Sequence, residues 1–162
     1  MQGARSAAPL EGPLREAVHQ FKYQGVRVLA SILGDILHTG WSFDPWPAEV
    51  IVPVPLHHSR LRQRGYNQSG LLSCELSSRT GLPVAETVLK RTAPTRPQVG
   101  LSAQERADNV RNAFCCVEQG LLRAKVLLVD DVWTTGATMR ACGQALLAGG
   151  VQAVWGLTLA RG

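Results

Sequence analysis

The chain holds no apolar run near the ~20 residues that a membrane-spanning helix needs. Met1 to Pro9 lacks the basic-then-apolar layout of a secretory leader, so a cytoplasmic location is expected. Cysteine is sparse: Cys74, Cys115, Cys116 and Cys142 are the full set of four. None stands in a Cys-x-x-Cys pair or at ligand spacing from a histidine, which argues against a zinc site. All four are expected as core filler. Neither Gly-x-x-x-x-Gly-Lys-Ser/Thr nor Gly-x-Gly-x-x-Gly occurs, excluding the common nucleoside-triphosphate and dinucleotide cradles. No Asp follows Asp131, which removes a receiver domain, whose phosphoacceptor would end a later strand. Repeats and low-complexity tracts are also lacking.

What remains describes an ordinary globular chain. Its 162 residues are 45% hydrophobic, enough for one domain with a real core. Net charge is +5, from 17 basic and 12 acidic residues. The excess is concentrated in the middle third, where nine Lys or Arg between Arg60 and Arg111 face Glu75, Glu86, Glu105 and Asp108. Those cations are split between two loops with few aromatics among them. That favours a compact polyanion such as pyrophosphate over a long nucleic-acid groove, with single-stranded DNA still open as a partner.

The densest chemistry lies in Lys125 to Thr138. Val126 to Val129 is an unbroken apolar run, as expected of a strand buried on both faces of a parallel sheet. Asp130 and Asp131 stand where that strand is expected to end. Thr134, Thr135, Gly136, Ala137 and Thr138 then make a turn rich in hydroxyls and backbone N–H groups. A helix follows, with Met139, Cys142, Leu146 and Gly149 on one stripe and Gly149-Gly150 as its stop. A strand, a small-residue turn and a helix N-terminus together form an anion cradle. Carboxylates beside such a cradle suit hydroxyls beside a phosphate, that is, a phosphorylated ribose.

Around this centre the pattern alternates helix and strand. Leu14, Ala17, Val18 and Phe21 form a helical stripe ending near Gly25. A second helix runs from about Arg27 to His38-Thr39-Gly40, followed by a loop holding Trp41, Phe43 and Trp46, expected to pack over a sheet edge. Glu49 to Pro55 reads as a strand, and the loop after it carries His57, His58, Arg60 and Arg64. Arg60 and Arg64 stand one helical turn apart and could converge on one anion. A helix from Asn67 to Thr80 turns Leu71, Leu72 and Leu76 inward. Val84 to Leu89 is a short strand candidate, Lys90 to Gly100 a long polar loop of the kind that serves as a lid. Ser102 to Asn112 is helix-like, Ala113 to Val117 a strand candidate, and Val151 to Leu159 the last strand. Alternation of this kind predicts an α/β fold with a parallel sheet, its ligand site beyond the strand C-termini.

Nearly the whole chain resembles the ComF family, the amidophosphoribosyltransferase-like competence proteins. Lys22-Tyr23-Gln24-Gly25 is similar to its Lys-Tyr-x-Gly, and Val52-Pro53-Val54-Pro55 to its Pro-Val-Pro block. Arg64-Gly65-Tyr66-Asn67-Gln68 is similar to its Arg-Gly-Phe/Tyr-Asn-Gln block. Arg91, Thr95, Gln98, Leu101, Arg106, Asn109 and Ala113-Phe114 fall on a third block, and Val129 to Thr138 on the phosphoribosyl motif. The resemblance implies a type I phosphoribosyltransferase fold: a central parallel sheet flanked by helices, a flexible flap over 90–102 and a minimal hood from helices within 10–45. It implies that Asp130 and Asp131 hold the ribose hydroxyls, and that Thr134, Thr135, Gly136, Ala137 and Thr138 hold the 5′-phosphate. His57, Arg60 and Arg64 would take the pyrophosphate. Asp130, Asp131, Arg91 and Arg106 would form the catalytic set, and Mg²⁺ would enter with phosphoribosyl pyrophosphate, with no side chain assigned as its ligand. The implied role is in natural transformation. One version is phosphoribosyl transfer to a nitrogen acceptor; the other is a non-catalytic factor that senses or scaffolds, with single-stranded DNA or DNA-uptake proteins as partners. Many members carry an N-terminal Cys-x-x-Cys zinc segment, and nothing of that kind precedes Leu10. The N-terminal helices show no polar cluster suited to reading an acceptor base.

Overall fold

The computed structural model describes residues 1–92, 113–117 and 121–162. Four strands form an all-parallel sheet: β1 (Gly3–Pro9), β2 (Val50–Pro53), β5 (Lys125–Trp133) and β6 (Ala153–Arg161). Their order is β1-β6-β5-β2, which puts the apolar strand of the central motif between two neighbours. A separate antiparallel pair joins β3 (Leu89–Arg91) to β4 (Phe114–Cys116). The helices are α1 (Gly12–Tyr23), α2 (Leu29–Ser42), α3 (His58–Arg64), α4 (Gln68–Thr80) and α5 (Ala137–Ala148).

Strand pleating divides the core in two. Val126 and Leu128 of β5, with Val50 and Val52 of β2, face Met139, Cys142 and Leu146 of α5 and the β3–β4 pair. Leu127 and Val129, with Ile51, face Phe21 of α1, Leu33 and Leu37 of α2, and Leu72 and Leu76 of α4. Both faces are covered, which explains why β5 reads as a continuous apolar run rather than an alternating one. Each fully buried leucine here contributes about 1.5–3 kcal/mol relative to exposure.

The structure corrects several expectations. Gly3–Pro9 forms the sheet-edge strand β1, paired in parallel with β6 from Gly3↔Trp155 to Pro9↔Arg161. Nothing in Gly-Ala-Arg-Ser-Ala-Ala-Pro favours a strand; pairing with β6 makes it one. Gly40 does not stop α2, which continues to Ser42. A Cβ on Gly40 would lie 2.5 Å from the Ala7 Cβ and 2.7 Å from its Cα, so this glycine lets α2 lie directly against β1. Trp41 is therefore helical and buried, Trp46 stacks on Trp155, and Phe43 is left exposed. β5 does not end at the acids but runs through them to Trp133, still paired with β6 through Val132↔Ala160 and Trp133↔Arg161. Val84 makes only an isolated bridge to Ile51, and the short strand begins at Leu89. Cys142 is core, but Cys74 lies exposed on α4, its thiol directed at Glu86.

Lys90 and Arg91, expected at the start of the flap, are paired in β3. The rest of the expected flap from residue 93, the expected helix over 102–112 and Arg106 lie outside the described residues.

Candidate functional site

Asp130 and Asp131 sit side by side at the C-terminal end of the sheet, on the central strand pair. Asp130 lies opposite Thr158 of β6. Its Oδ1 accepts from the Ser69 hydroxyl at 2.8 Å and from the Asp131 backbone N–H at 2.9 Å. Asp131 is buried, and its Oδ1 meets the Lys22 ammonium at 2.9 Å. Burial and the neighbouring Asp131 charge push the Asp130 carboxyl up to about 7, against the pull of Ser69, the backbone N–H and Lys22. The two acids are thus distinct: one holds a lysine, and the other is poised near neutrality.

The hydroxyl turn follows at once. Thr134 and Thr135 are exposed, Ala137 and Thr138 half-buried, and Gly136 buried. Gly136 caps α5 with φ 72°, a left-handed conformation that side chains resist. The Trp133 ring fills the space a Cβ would need, at 2.4 Å. Thr135 Oγ1 accepts from the Ala137 N–H at 3.4 Å, and the Arg140 guanidinium donates to the Thr135 carbonyl at 2.7 Å, bracing the turn from the first turn of α5. Asp130, Thr134, Gly136, Thr138 and Thr158 line one small cleft. Asp130 and the turn therefore open onto the same space, with the positive end of the α5 dipole beside them.

A cationic group flanks that cleft. His57 caps α3, its Nδ1 accepting weakly from the Ser59 N–H at 3.4 Å and paired with the Ser59 hydroxyl at 2.7 Å. Burial holds the His57 imidazole below its ordinary range, and His58, Arg91, Arg60 and Arg62 add to that. Arg91, packed over the Phe114 ring, is lowered by burial and by Arg60, while Cys142 and Asp130 act the other way. His57, Arg60 and Arg91 are thus near enough to repel one another, and Arg91 is near enough to Asp130 to feel its charge. An anion there would relieve the repulsion.

Arg64 is engaged at the other end of α3. Its guanidinium donates to Gln68 Oε1 at 3.0 Å and lies 5.0 Å from the centre of the Tyr23 ring. The junction that sets this is well tied. Tyr66 donates its hydroxyl to the Phe21 carbonyl, and Arg27 donates to the Gly65 carbonyl at 3.0 Å while stacking on Tyr66. The end of α1 is thereby docked on the end of α3, which brings Lys22 to Asp131 and Tyr23 to Arg64. Lys22, Tyr23, Gln24, Gly25, Gln63 and Arg64 line a second cavity there. Lys22 and Tyr23, the last two residues of α1, thus contribute to a polar lining.

Sequence reading overlooked Ser69, Lys22, Thr158 and Arg140 as site residues. Lys22 had a visible signal, its place in Lys-Tyr-x-Gly; the other three carry none. No group of three or more His, Cys, Asp or Glu side chains that could hold a metal occurs among the described residues.

Comparisons with known proteins bear on the family and the fold. No family model matches the chain. It is 38% identical over 160 residues to competence protein F of Haemophilus influenzae, covering 91% of this chain and 69% of that protein. It is 35% identical over 147 residues to the DNA utilization protein YhgH of Escherichia coli K12, covering 88% of this chain and 64% of that one. Among solved structures, the glutamine phosphoribosylpyrophosphate amidotransferase of Bacillus subtilis aligns with a TM-score of 0.57 at 21% identity, over 83% of this chain and 26% of that one. That likeness is one of fold, the type I phosphoribosyltransferase fold.

Proposed function

The chain belongs to the ComF family, and from that premise we infer that it binds phosphoribosyl pyrophosphate and acts in DNA uptake and natural transformation. The observation that carries the reading is the single cleft shared by Asp130, Thr134, Gly136 and Thr138, with Arg91 near Asp130 and with Arg60 and His57 near Arg91. The acids accept from the ribose hydroxyls, the turn and the α5 N-terminus take the 5′-phosphate, and the cationic group takes the pyrophosphate. A cytoplasmic setting suits this ligand, and no described helix is long and apolar enough to cross a membrane.

Mg²⁺ fits this donor set as a companion of the ligand. Such ions usually take one or two carboxylates and complete their shell with substrate phosphates and water. Asp130 is the available carboxylate, since Asp131 is engaged by Lys22. When bound, the ion neutralises pyrophosphate charge. The chain's own residues orient the ribose between β5 and α5 and hold the leaving group with arginine.

Phosphoribosyl transfer in this cleft breaks the C1′–O bond, its electron pair leaving with pyrophosphate. An acceptor nitrogen forms the C1′–N bond with its lone pair and gives up a proton. Arg60 and Arg91 stabilise charge building on the leaving oxygens. The second reading, a non-catalytic factor that senses the ligand, keeps the same binding contacts and omits the transfer; the Lys22–Asp131 ion pair, which gives one acid a structural role, leans towards it.

Calorimetric titration with phosphoribosyl pyrophosphate and Mg²⁺ tests the shared part. Saturable binding by the wild type, lost in Asp130→Asn/Asp131→Asn, supports it; no binding by folded wild type removes it. Pyrophosphate release in a screen of nucleobases and amines then separates the two versions.

A further inference from the structure

Of the two edges of the parallel sheet, one is closed. Along β2, Ile51 donates its N–H to the Pro83 carbonyl, Ala85 donates to the Ile51 carbonyl, and Val84 bridges to Ile51. Every residue of β2 is buried. β1 is the other edge, and none of its residues is buried. Gln2 and Leu10, at its two ends, donate their N–H groups to Val154 and Arg161. Alternation between them turns Ala4, Ser6 and Ala8 to β6, and leaves Gly3, Arg5 and Ala7 with N–H and C=O groups pointing away from it. Among the described residues, no segment pairs with the backbone of those three.

An unpaired row of this kind is a template for another strand, and folded proteins commonly blunt it with a charge, a proline, a bulge or a cover. β1 has little of that. Its one charged residue, Arg5, is turned aside: the guanidinium lies 3.9 Å from the centre of the Trp46 ring and donates to the Asp44 carbonyl. Pro9 blocks only the last position of the strand.

Side chains and charge choose the occupant. A foreign peptide added to a sheet edge is selected by pockets for its alternate side chains. Gly3 and Ala7 on one face, and Ala4, Ser6 and Ala8 on the other, are too small to build any. What the edge does offer is self-complementary. In an antiparallel pairing about a two-fold axis at Arg5, Gly3 faces Ala7 of a second copy and Arg5 faces Arg5. Each facing pair exchanges both of its N–H···O bonds. Each Arg5 also brings Asp44 of its own chain, at 3.7 Å, and that acid is 75% exposed. The axis then gathers cations and acids in equal number, with each acid free to meet the other copy's arginine.

We propose that two copies of this chain pair β1 to β1 in antiparallel register, making one continuous sheet across a symmetric dimer. The contact is short, so the dimer is weak and concentration-dependent. It also reaches the cleft: Ser6 shares a hydrogen bond of 2.6 Å with Thr158, which lines it. The dimer requires nothing of the phosphoribosyl reading.

Sedimentation velocity of the full chain over a concentration series tests this. Expected is a monomer–dimer equilibrium whose dissociation constant rises about tenfold or more in Ala7→Pro. Proline suits that position in the monomer, because the Ala7 N–H faces outward on an edge strand. Amide exchange is the second readout. In concentrated wild type Arg5 and Ala7 slow, and on dilution they speed up, while Ala4, Ser6 and Ala8 stay slow throughout. Slow exchange of Ala4 and Ser6 in Ala7→Pro reports that β1 is still paired with β6. Arg5→Cys, with the exposed Cys74 replaced in Cys74→Ser, gives the register. Facing Cα atoms about 5.5 Å apart lie within disulfide reach, so oxidation yields a dimer linked through position 5. Should the proline unpair β1, that crosslink decides alone. A wild type that stays monomeric, a dimer that a folded Ala7→Pro leaves unchanged, or a dimer linked only through the native cysteines overturns the proposal. The first of these outcomes leaves the edge to a strand from another protein.

Discussion

Lys22, the penultimate residue of α1, holds Asp131 of β5 at 2.9 Å, with both side chains largely buried. This ion pair joins the N-terminal helices to the acid pair and sets apart the roles of two adjacent carboxylates. Removing the lysine leaves a buried charge without its counter-ion. Lys22→Met is expected to cost about 2–4 kcal/mol in urea unfolding. Lys22→Met/Asp131→Asn should recover much of that loss, since both charges then go together.

The raised Asp130 carboxyl gives stability a pH dependence of defined sign. Between about 4 and about 7 the folded chain keeps a proton that the unfolded chain, with an ordinary value of 3.8, has released. Stability from this group is full below that window, falls as pH rises through it, and levels off above about 7. The swing is at most about 4 kcal/mol, and less because the half-buried side chain is partly screened by solvent. Asp130→Asn should flatten that slope in urea unfolding from acid to neutral pH and leave the protein more stable at neutral pH.

Gly136→Ala should damage both the fold and the cleft. The substitution meets φ 72° and a Trp133 ring atom at 2.4 Å, so the turn must move. The expected loss is about 2–4 kcal/mol. Thermal unfolding reports the stability change, and titration with phosphoribosyl pyrophosphate should show weaker binding than the wild type.

Gly40→Ala separates packing from the site. Its added methyl meets the Ala7 backbone at 2.7 Å, which pushes β1 from α2 and costs about 1–3 kcal/mol. Hydrogen exchange should rise in β1 while phosphoribosyl pyrophosphate affinity stays at the wild-type value.

The amino-acid order alone determined the middle of this fold and the chemistry of its turn. Val126–Val129 reads as a doubly covered strand because no polar residue interrupts it. Val18, Phe21, Leu33, Leu37, Leu72 and Leu76 mark helix faces because their spacing repeats every three or four residues. The acids, the hydroxyl turn and the Gly149-Gly150 stop are likewise local, each needing only near neighbours in sequence.

Contacts between distant segments decided the rest. Gly3–Pro9 has no strand propensity of its own and becomes β1 only through backbone pairing with β6. β5 passes its own acids because β6 continues to offer partners as far as Arg161. Gly40 looks like a helix stop in sequence, yet Ala7 makes it a point of close approach. Lys22 and Ser69 reach the two carboxylates from α1 and α4, and the α1–α3 junction brings Arg64 onto Tyr23. Propensity and periodicity act over a few residues. The partner of a buried charge, or the occupant of a glycine's empty side, is chosen by whichever segment the fold packs against it.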